Sequence, residues 1–426
     1  MAGFKALKGE GHAPTLFMAF LYFDMSFMVW TMLGPLSTEI AEALALSGHI
    51  MTAGEKATLL SLPILSGAFL RIVLGFGVDK FGAKLTALLS QSVVIAALLT
   101  AYFLGDSITY NILLIVALGL GFAGASFAVA LPQAGQWYPP KSQGIVLGIA
   151  GAGNIGVVID FLFAPKIAEL WGWEAVFAVG AAMAIVVFIA YAFIAKNAPE
   201  SVYKTRPKKL ADYGKLLKDK DTWWFSLFYA ISFGGFVGFA GYMKVYLMNT
   251  YSVDMSAFGM DVFDESNVKV IAGYFGALTI FAGAVLRPVG GAVADKMGGI
   301  KSLYIFFSVV ALLAFLNAFL VLSFWLAIVV LFLIMASLGM ANGAVFQLVP
   351  QRFGKDIGIM TGIVGAAGGI GGTALIQTFG WSKGAFDGYA TGFMIFAAVV
   401  LVAIAGISLV KTRWRTTWGV KAGGMI

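Results

Sequence analysis

The sequence contains no cysteine and only two histidines among its 426 residues. Without cysteine it cannot form disulfide bonds, thiol nucleophiles or cysteine-ligated metal centres. His12 and His49 lie far apart and near predicted helix ends, so a histidine metal cluster is not expected. We also find no nucleophile–base set and no phosphate-binding loop. The sequence therefore predicts a protein that is not an enzyme and that needs no cofactor or metal.

Charged residues are also scarce. They make up 12% of the chain, against about 25% in soluble domains, whereas hydrophobic residues make up 60%. This composition predicts an integral membrane protein. The net charge of +7 lies mostly in segments predicted to face one side of the membrane, so we expect the lipid surface, and not nucleic acid, to be its partner.

Long apolar runs divide the chain into twelve candidate transmembrane helices, since a helix needs about 20 apolar residues to cross a bilayer. The first run is followed by many others, so we expect a true span and no cleaved signal peptide. The predicted spans, numbered 1 to 12, are 15–37, 57–78, 85–104, 109–136, 142–165, 175–196, 222–247, 269–294, 302–322, 325–350, 357–378 and 389–411.

A basic segment over 197–221, with room for a short surface helix, separates residues 1–196 from residues 222–426. With both termini inside, 21 lysines and arginines lie on the inner side and five on the outer side. The positive-inside rule then predicts a multi-pass membrane protein with the linker and both termini in the cytoplasm.

The two halves repeat one another. Gly67-Ala68-Phe69-Leu70-Arg71 is echoed 216 positions later by Gly283-Ala284-Val285-Leu286-Arg287, and each arginine stands eight residues before an aspartate, Asp79 or Asp295. Weaker echoes join 131–133 to 349–351 and 144–151 to 358–365. Six spans per half make the halves parallel, as in transporters that bind substrate near the midplane between two bundles. We predict an all-α membrane protein of two pseudo-symmetric six-helix bundles.

The motifs resemble those of a known family. Gly75-x-x-x-Asp79-Lys80-x-Gly82-x-Lys84 is similar to the loop signature of the major facilitator superfamily, and a looser copy runs over 291–301. One arginine in span 2 and one in span 8, with glycine-rich stretches at 151–156 and 365–371, resemble the nitrate/nitrite porter family. The resemblance covers essentially the whole chain. It implies the major facilitator fold, and transport of nitrate or nitrite across the bacterial cytoplasmic (inner) membrane.

The two arginines have two interpretations. Each could form a structural ion pair with Asp24 or Asp160, but that would not explain a two-fold repeat without a repeated acid. The alternative is a substrate site. A buried charge is costly in a membrane, and the planar guanidinium fork can contact two oxygens of a planar anion at once. We favour a site in which Arg71 and Arg287 enclose one anion.

The resemblance also implies neighbours for that anion. Tyr229 and Phe233, four residues apart on span 7, would supply a hydroxyl group and an apolar wall. Phe127 matches the other aromatic wall of the family, and Asn154 matches an asparagine near the anion; ordinary aromatic packing is the alternative for the rings. The position equivalent to Asn154 in the second half is Gly369.

Glycines form a second group. Gly151-x-Gly153-x-x-Gly156 fits the dinucleotide-binding fingerprint, but no predicted strand precedes it. We expect these glycines to serve close helix packing and sliding of span 5 against span 11. The same role is expected in span 11 for Gly365, Gly368 and Gly371.

Two carboxylates fall inside predicted spans. Asp24 in span 1 and Asp160 in span 5 are candidates for proton coupling; a local salt bridge, such as Asp160 with Lys166, is the alternative. Four loop residues are expected to close the inner gate by pairing with nearby charges. They are Asp79, Lys80, Asp295 and Lys296.

These features predict a monomeric rocker-switch transporter of nitrate or nitrite. Moving an anion inward against the membrane potential costs about 2.3 kcal/mol per 100 mV, so an energy source is needed. Proton-linked nitrate import is favoured; electroneutral nitrate/nitrite exchange is the alternative. A transporter of another small anion, and a membrane sensor or scaffold with this fold, are weaker alternatives. The sensor is weaker because a soluble signalling domain would not fit in 197–221 or in the short tails.

Overall fold

The computed structural model describes residues 11–138, 146, 149–199, 210–263, 267–320, 322–353, 356–420 and 426. Part of the predicted linker, 200–209, and half of the first copy of the 144–151 repeat lie outside these ranges. In the described part of the chain, twelve helices are long and apolar enough to cross a membrane. They are Ala13–Thr31, Ala53–Phe81, Ala83–Ser107, Tyr110–Gln136, Ile149–Trp171, Trp173–Ile194, Lys220–Gly259, Val268–Met297, Gly299–Phe319, Phe324–Phe353, Ile357–Phe386 and Ala390–Gly419.

The twelve predicted spans are thus confirmed, but several of their ends differ. Spans 5, 11 and 12 were expected to end at 165, 378 and 411, and their helices continue to Trp171, Phe386 and Gly419. Two further differences concern spans 1 and 7. Span 1 was expected to run to residue 37, but its helix ends at Thr31. Gly34-Pro35 follows, and a proline and the residue before it both disfavour helix. A second, short helix, the outer helix, then covers Ser37–Leu46. Span 7 was expected to end at residue 247, but its helix continues to Phe263 with a kink at Tyr251.

The two halves pack in the same way. Spans 2 and 4, 3 and 6, and 1 and 5 contact one another in the first half; spans 8 and 10, 9 and 12, and 7 and 11 do so in the second. Span 2 of the first half packs on span 11, and span 8 of the second half packs on span 5. The structure is therefore two pseudo-symmetric six-helix bundles.

Small residues let the paired spans approach closely at matching places. A Cβ added to Gly67 would lie 3.1 Å from the carbonyl oxygen of Gly121 in span 4. In the second half, a Cβ on Gly339 in span 10 would overlap the carbonyl oxygen of Gly283. Each crossing lies one helical turn before an arginine, so the same glycine contact places Arg71 and Arg287 in their bundles.

A short helix in the linker, Leu210–Leu217, packs near the end of span 2. The rings of Tyr213 and Phe76 lie 5.2 Å apart, and the Tyr213 hydroxyl is near Asp79. This agrees with the surface helix expected within 197–221. We call the end of the bundle with this linker helix the inner end, and the end with the outer helix the outer end, after the predicted orientation.

Candidate functional site

Arg71 lies at the contact between the two halves. Its side chain is 3% exposed. Nε donates to the carbonyl oxygen of Gly124 in its own half at 3.1 Å, and Nη1 donates to the carbonyl oxygen of Gly365 in span 11 at 2.7 Å. Backbone carbonyls thus hold the guanidinium group, and its positive charge has no counterion among the described residues.

Aromatic rings surround the Arg71 guanidinium carbon. The ring centroids of Phe233, Trp30 and Phe127 lie 5.3, 5.5 and 5.8 Å away. Trp30 is itself fixed, because its Nε1 donates to the carbonyl oxygen of Pro63 at 2.8 Å. Cation–π contacts stabilise a guanidinium without using its N–H donors, so the donors that do not bind Gly124 and Gly365 remain available for an anion.

Arg287 approaches the same place from the second half. Its guanidinium carbon lies 5.4 Å from the ring centroid of Phe346, and its side chain is hydrogen-bonded to the Tyr229 hydroxyl. Asn342 is a further partner of that hydroxyl. The Arg287 Nη1 atom is buried and has no hydrogen-bond partner among the described residues. Arg71 and Arg287 are close enough to influence one another electrostatically.

The ion-pair interpretation of the two arginines is wrong for the part of the chain that the structure describes. Within those residues, no carboxylate lies within 4.0 Å of Arg71 or Arg287. Two guanidinium groups therefore face one region of the interface without an acid. Such an arrangement attracts an anion.

The predicted aromatic neighbours lie in this region. Tyr229 and Phe233 stack with centroids 5.0 Å apart and planes at 5°. Phe127 meets Phe346 edge to face at 6.5 Å, and Phe346 meets Tyr229 in the same way at 5.1 Å. These four rings connect the two arginines, since Phe127 and Phe233 face Arg71 and Phe346 faces Arg287.

Phe346, Trp30 and Asn342 are site residues that our sequence reasoning missed. A signal existed for Phe346. Gly343-Ala344-Val345-Phe346 in span 10 echoes Gly124-Ala125-Ser126-Phe127 in span 4. The repeat therefore supplies one phenylalanine, as well as one arginine, from each half.

Asn154 lies in a short 3-10 turn, Ala152–Ile155, which interrupts span 5. The turn contacts span 1 and span 8, and Asn154 is 4% exposed. Its Oδ1 atom has no hydrogen-bond partner in the described ranges. This oxygen is a hydrogen-bond acceptor and cannot bind an anion; only the Nδ2 donors of Asn154 could do so. The contact of Asn154 with the anion therefore stays a prediction.

The glycines do pack helices, but with other partners than expected. Gly153 and Gly156 lie against the backbone of Asp24 in span 1. Gly368 and Gly371 lie against span 7, at Tyr229, Phe233 and Ala230, and Gly365 lies beside Arg71. A Cβ on Gly151 would meet nothing within 4 Å. The expected sliding contact of span 5 on span 11 is replaced, at these glycines, by contacts of span 5 on span 1 and of span 11 on span 7.

The two membrane carboxylates have different surroundings. Asp24 is half-buried and accepts a hydrogen bond from the backbone N–H of Gly156, while its Oδ1 atom lacks a described partner. Asp160 is 4% exposed, and its Oδ2 atom lacks a described partner. The suggested Asp160–Lys166 pair is not formed, because Lys166 pairs with Glu169 at 2.6 Å.

The four predicted gate residues lie at the ends of spans 2 and 8. Asp79, Lys80, Asp295 and Lys296 are all exposed. None of them forms an ion pair with another described residue. Their part in closing the inner end therefore stays a prediction.

The halves are joined by charges at the outer end instead. Lys244 of span 7 is fully buried and donates to both carboxylate oxygens of Glu39, at 2.6 and 2.8 Å. Lys269 of span 8 pairs with Glu42. Both acids belong to the outer helix, and neither pair was expected from the sequence, where these lysines counted only as outer charges.

Comparison with known proteins places this geometry in context. Residues 16–376 match the family model described as the Major Facilitator Superfamily. The chain is 31% identical over 402 residues to the "Probable nitrate/nitrite transporter NarK2" of Mycobacterium tuberculosis, covering 92% of this chain and 95% of that protein. It is 30% identical over 382 residues to the "Nitrite extrusion protein" of Bacillus subtilis, covering 88% and 89%.

Two further comparisons extend this. The "Probable nitrate/nitrite antiporter NarK1" of Thermus thermophilus is 26% identical over 423 residues, covering 92% of this chain and 89% of that protein. Among solved structures, a bacterial homologue of the human lysosomal transporter Spinster, inward-facing and occupied, superposes with a TM-score of 0.68. It is 18% identical over 93% of this chain and 96% of its own, so the likeness concerns the fold alone.

Proposed function

We propose that this chain, which belongs to the Major Facilitator Superfamily and within it to the nitrate/nitrite porter family, carries nitrate and nitrite across a membrane. As a member of a transporter family it is not an enzyme. The observation that carries the proposal is the pair of guanidinium groups, Arg71 and Arg287, which meet at the contact of the two halves without a described carboxylate. The similar proteins named as nitrate or nitrite transporters support the choice of anion.

The chemistry of the site suits a small planar oxyanion. The guanidinium carbons of both arginines lie within 5.8 Å of aromatic ring centroids, and a guanidinium fork can contact two oxygens of one anion. Arg287 Nη1 has no hydrogen-bond partner among the described residues, so an anion could bind it without breaking an existing hydrogen bond. The Tyr229 hydroxyl group lies beside the Arg287 side chain. A phosphate ester would bring more charge and bulk than this ring-lined space suits.

The same two charges explain how substrate binding would drive movement. Two cations in a low-dielectric interior repel one another, so the empty site resists closing. A bound anion offsets this repulsion and lets the halves approach, and Arg71 already reaches across to Gly365. In this structure the outer end is closed, for example where Gln377 of span 11 donates to the Ser61 hydroxyl of span 2 at 2.9 Å.

The energy source has two candidates. Asp24 and Asp160 each have one carboxylate oxygen without a described hydrogen-bond partner, and neither forms an ion pair within 4.0 Å among the described residues, although Lys244 acts on Asp160 electrostatically. Membrane carboxylates of this kind favour proton-linked nitrate import. The lack of a described carboxylate within 4.0 Å of either arginine favours nitrate/nitrite exchange, in which equal charges cross in opposite directions. We retain import as the first proposal and exchange as the second.

Experiments with the purified protein in liposomes test both the substrate and the energy source. For the substrate, binding of nitrate, nitrite, formate and phosphate is compared; tight binding of phosphate or formate, with none of nitrate or nitrite, would overturn the proposal. For the energy source, nitrate uptake is followed into liposomes without internal anion, with an inward proton gradient. Uptake under these conditions supports import, whereas uptake only into nitrite-loaded liposomes, without current, supports exchange.

A further inference from the structure

Among the described lysines at the contact between the halves, Lys244 is the most deeply buried. Its side chain is 0% exposed. The ammonium group donates to the Pro35 carbonyl oxygen and to both oxygens of Glu39. A lysine ammonium has three N–H donors, so all of its donors are used.

Every one of these acceptors comes from the other half. Pro35 and Glu39 follow span 1, whereas Lys244 belongs to span 7. Lys269 and Glu42 repeat the arrangement beside it. If the halves separate at the outer end, both lysines lose their acceptors together. A buried charge left without a partner is strongly unfavourable, so Lys244 must then gain water or another anion.

The Glu39 carboxylate, which now binds the Lys244 ammonium group, indicates which anion would fit there. A carboxylate is planar, carries one negative charge and offers two oxygens to one ammonium group. Nitrate and nitrite share these three properties. The closed structure therefore already shows a small planar oxyanion seated on Lys244, supplied by the protein itself.

Lys244 also shares a face of span 7 with a residue of the arginine site. Phe233, Ala240 and Lys244 are spaced by seven and four residues, which places them on one face of span 7. Phe233 contacts the Arg71 guanidinium group. At about 1.5 Å of helix rise per residue, Lys244 stands roughly 16 Å above Phe233 on that face.

We propose that Lys244 is an admission site for small planar oxyanions at the outer end, which Glu39 occupies when that end is closed and the substrate occupies when it is open. The proposal rests on the proposed function for the identity of the substrate, and on the predicted orientation for the word outer. It assigns Lys244 a role in receiving the anion that Arg71 and Arg287 then enclose.

The absence of cysteine allows a direct test. Ala240→Cys puts one thiol on the same face of span 7, one turn from Lys244. The full-length protein in liposomes is exposed from the outer side to an anionic and a cationic methanethiosulfonate reagent of similar size. Both reagents react only while the outer end is open, so the open fraction affects both rates equally. The ratio of the two rates therefore reports the local charge near the thiol.

A positive charge near the thiol should favour the anionic reagent. We expect Lys244→Gln to lower the anionic-to-cationic ratio by about fivefold. Lys383→Gln is the matched control, since Lys383 is an outer-end lysine that pairs with Asp387 of its own half at 2.7 Å; the ratio should not change. An unchanged ratio in Lys244→Gln overturns the proposal. So does a thiol that neither reagent reaches, even in the Glu39→Gln background.

Transport kinetics separate an admission site from a mere gate contact. If Lys244 and Glu39 only hold the outer end closed, removing either opens it, and kcat/KM for nitrate from the outer side shifts in the same direction in both variants. If Lys244 also receives the anion, Glu39→Gln raises this kcat/KM and Lys244→Gln lowers it, each by about three- to tenfold. Shifts in the same direction would overturn the proposal.

The reagents are not substrates, so the two proposals can fail separately. In an Arg71→Lys background the reagent ratio should keep its dependence on Lys244, even though nitrate transport is lost. If the ratio depends on Lys244 but no nitrate or nitrite is carried, the proposed function fails alone. If nitrate is carried and the reagent ratio does not depend on Lys244, only the admission-site proposal is overturned.

Discussion

The guanidinium group of Arg71 in span 2 donates a 2.7 Å hydrogen bond to the backbone carbonyl of Gly365 in span 11, 294 positions away in the sequence. A charged side chain of one half is thus held by the backbone of the other half. The hydrogen bond uses one of the five N–H donors of the arginine and neutralises none of its charge. Arg71 can therefore join the halves and still bind an anion.

Replacing either site arginine by lysine tests the need for a planar fork of donors. Arg71→Lys and Arg287→Lys keep the positive charge but not the bidentate geometry. We expect nitrate uptake into liposomes to fall by about 100-fold or more in either variant, with normal membrane insertion. Arg415→Lys, at an exposed arginine near the C-terminus, is the control. Uptake near the normal rate in Arg71→Lys would contradict bidentate binding.

The hydroxyl group of Tyr229 is the second target. Tyr229→Phe keeps the stacking on Phe233, whose centroid is 5.0 Å away, but removes the hydrogen-bonding group beside Arg287. A hydrogen bond to a charged group contributes about 1.5–3 kcal/mol, so the Kd for nitrate should rise roughly tenfold or more. Tyr102→Phe, at an exposed tyrosine of span 3, should leave binding unchanged. Equal Kd values for Tyr229→Phe and the parent protein would show that the hydroxyl does not reach the anion.

Glycine packing in span 11 predicts a difference in stability. A Cβ on Gly371 would overlap the backbone of Ala230 in span 7, whereas a Cβ on Gly362 of the same helix would meet nothing within 4 Å. Gly371→Ala should therefore lower the thermal unfolding temperature of the detergent-solubilised protein. Gly362→Ala should leave it unchanged or raise it slightly, because alanine favours helix by up to about 1 kcal/mol over glycine. Similar unfolding temperatures for the two variants would contradict the packing seen at Gly371.

The pH dependence of uptake tests the membrane carboxylates. If Asp24 carries the coupled proton, nitrate uptake driven by an acidic exterior should be lost in Asp24→Asn, while exchange of nitrate for internal nitrite continues. Asp160→Asn is tested in parallel. Loss of both activities in either variant would indicate a structural role in place of coupling.

Asp387→Asn is the control for these variants. The Lys383 ammonium group, hydrogen-bonded to the exposed Asp387 carboxylate, lowers the pKa of Asp387. A lowered pKa keeps this carboxylate ionised throughout an assay between about pH 5 and pH 8. Its removal should therefore leave the pH dependence of uptake unchanged.

The ends of the spans show how well local sequence patterns predict the ends of helices. The predicted and observed ends agree within a few residues at most spans, because the apolar run needed to cross a bilayer is also what forms the helix. At span 1 the apolar run continues past the break at Gly34-Pro35, so hydrophobicity alone placed its end too late. At span 7 the helix leaves the apolar run and continues through polar residues to Phe263.

At the site, repetition was the useful signal. The echo of Arg71 in Arg287 pointed to a shared location, and the echo of Phe127 in Phe346 was present but unused. Trp30 has no such signal, because its place beside Arg71 depends on how span 1 crosses span 2. For the same reason the glycines of span 5 were predicted as packing residues, but with the wrong partner helix.

By itself, the sequence determined a membrane protein of twelve helices, its division into two repeated halves, and one arginine in the core of each half. Those features follow from hydrophobic length and from repetition along the chain. Only the tertiary structure decided which groups face the arginines and that Lys244 meets Glu39, 205 positions away. Such pairs depend on the rotation and crossing of helices that are distant in sequence, and a small rotation would exchange one partner for another.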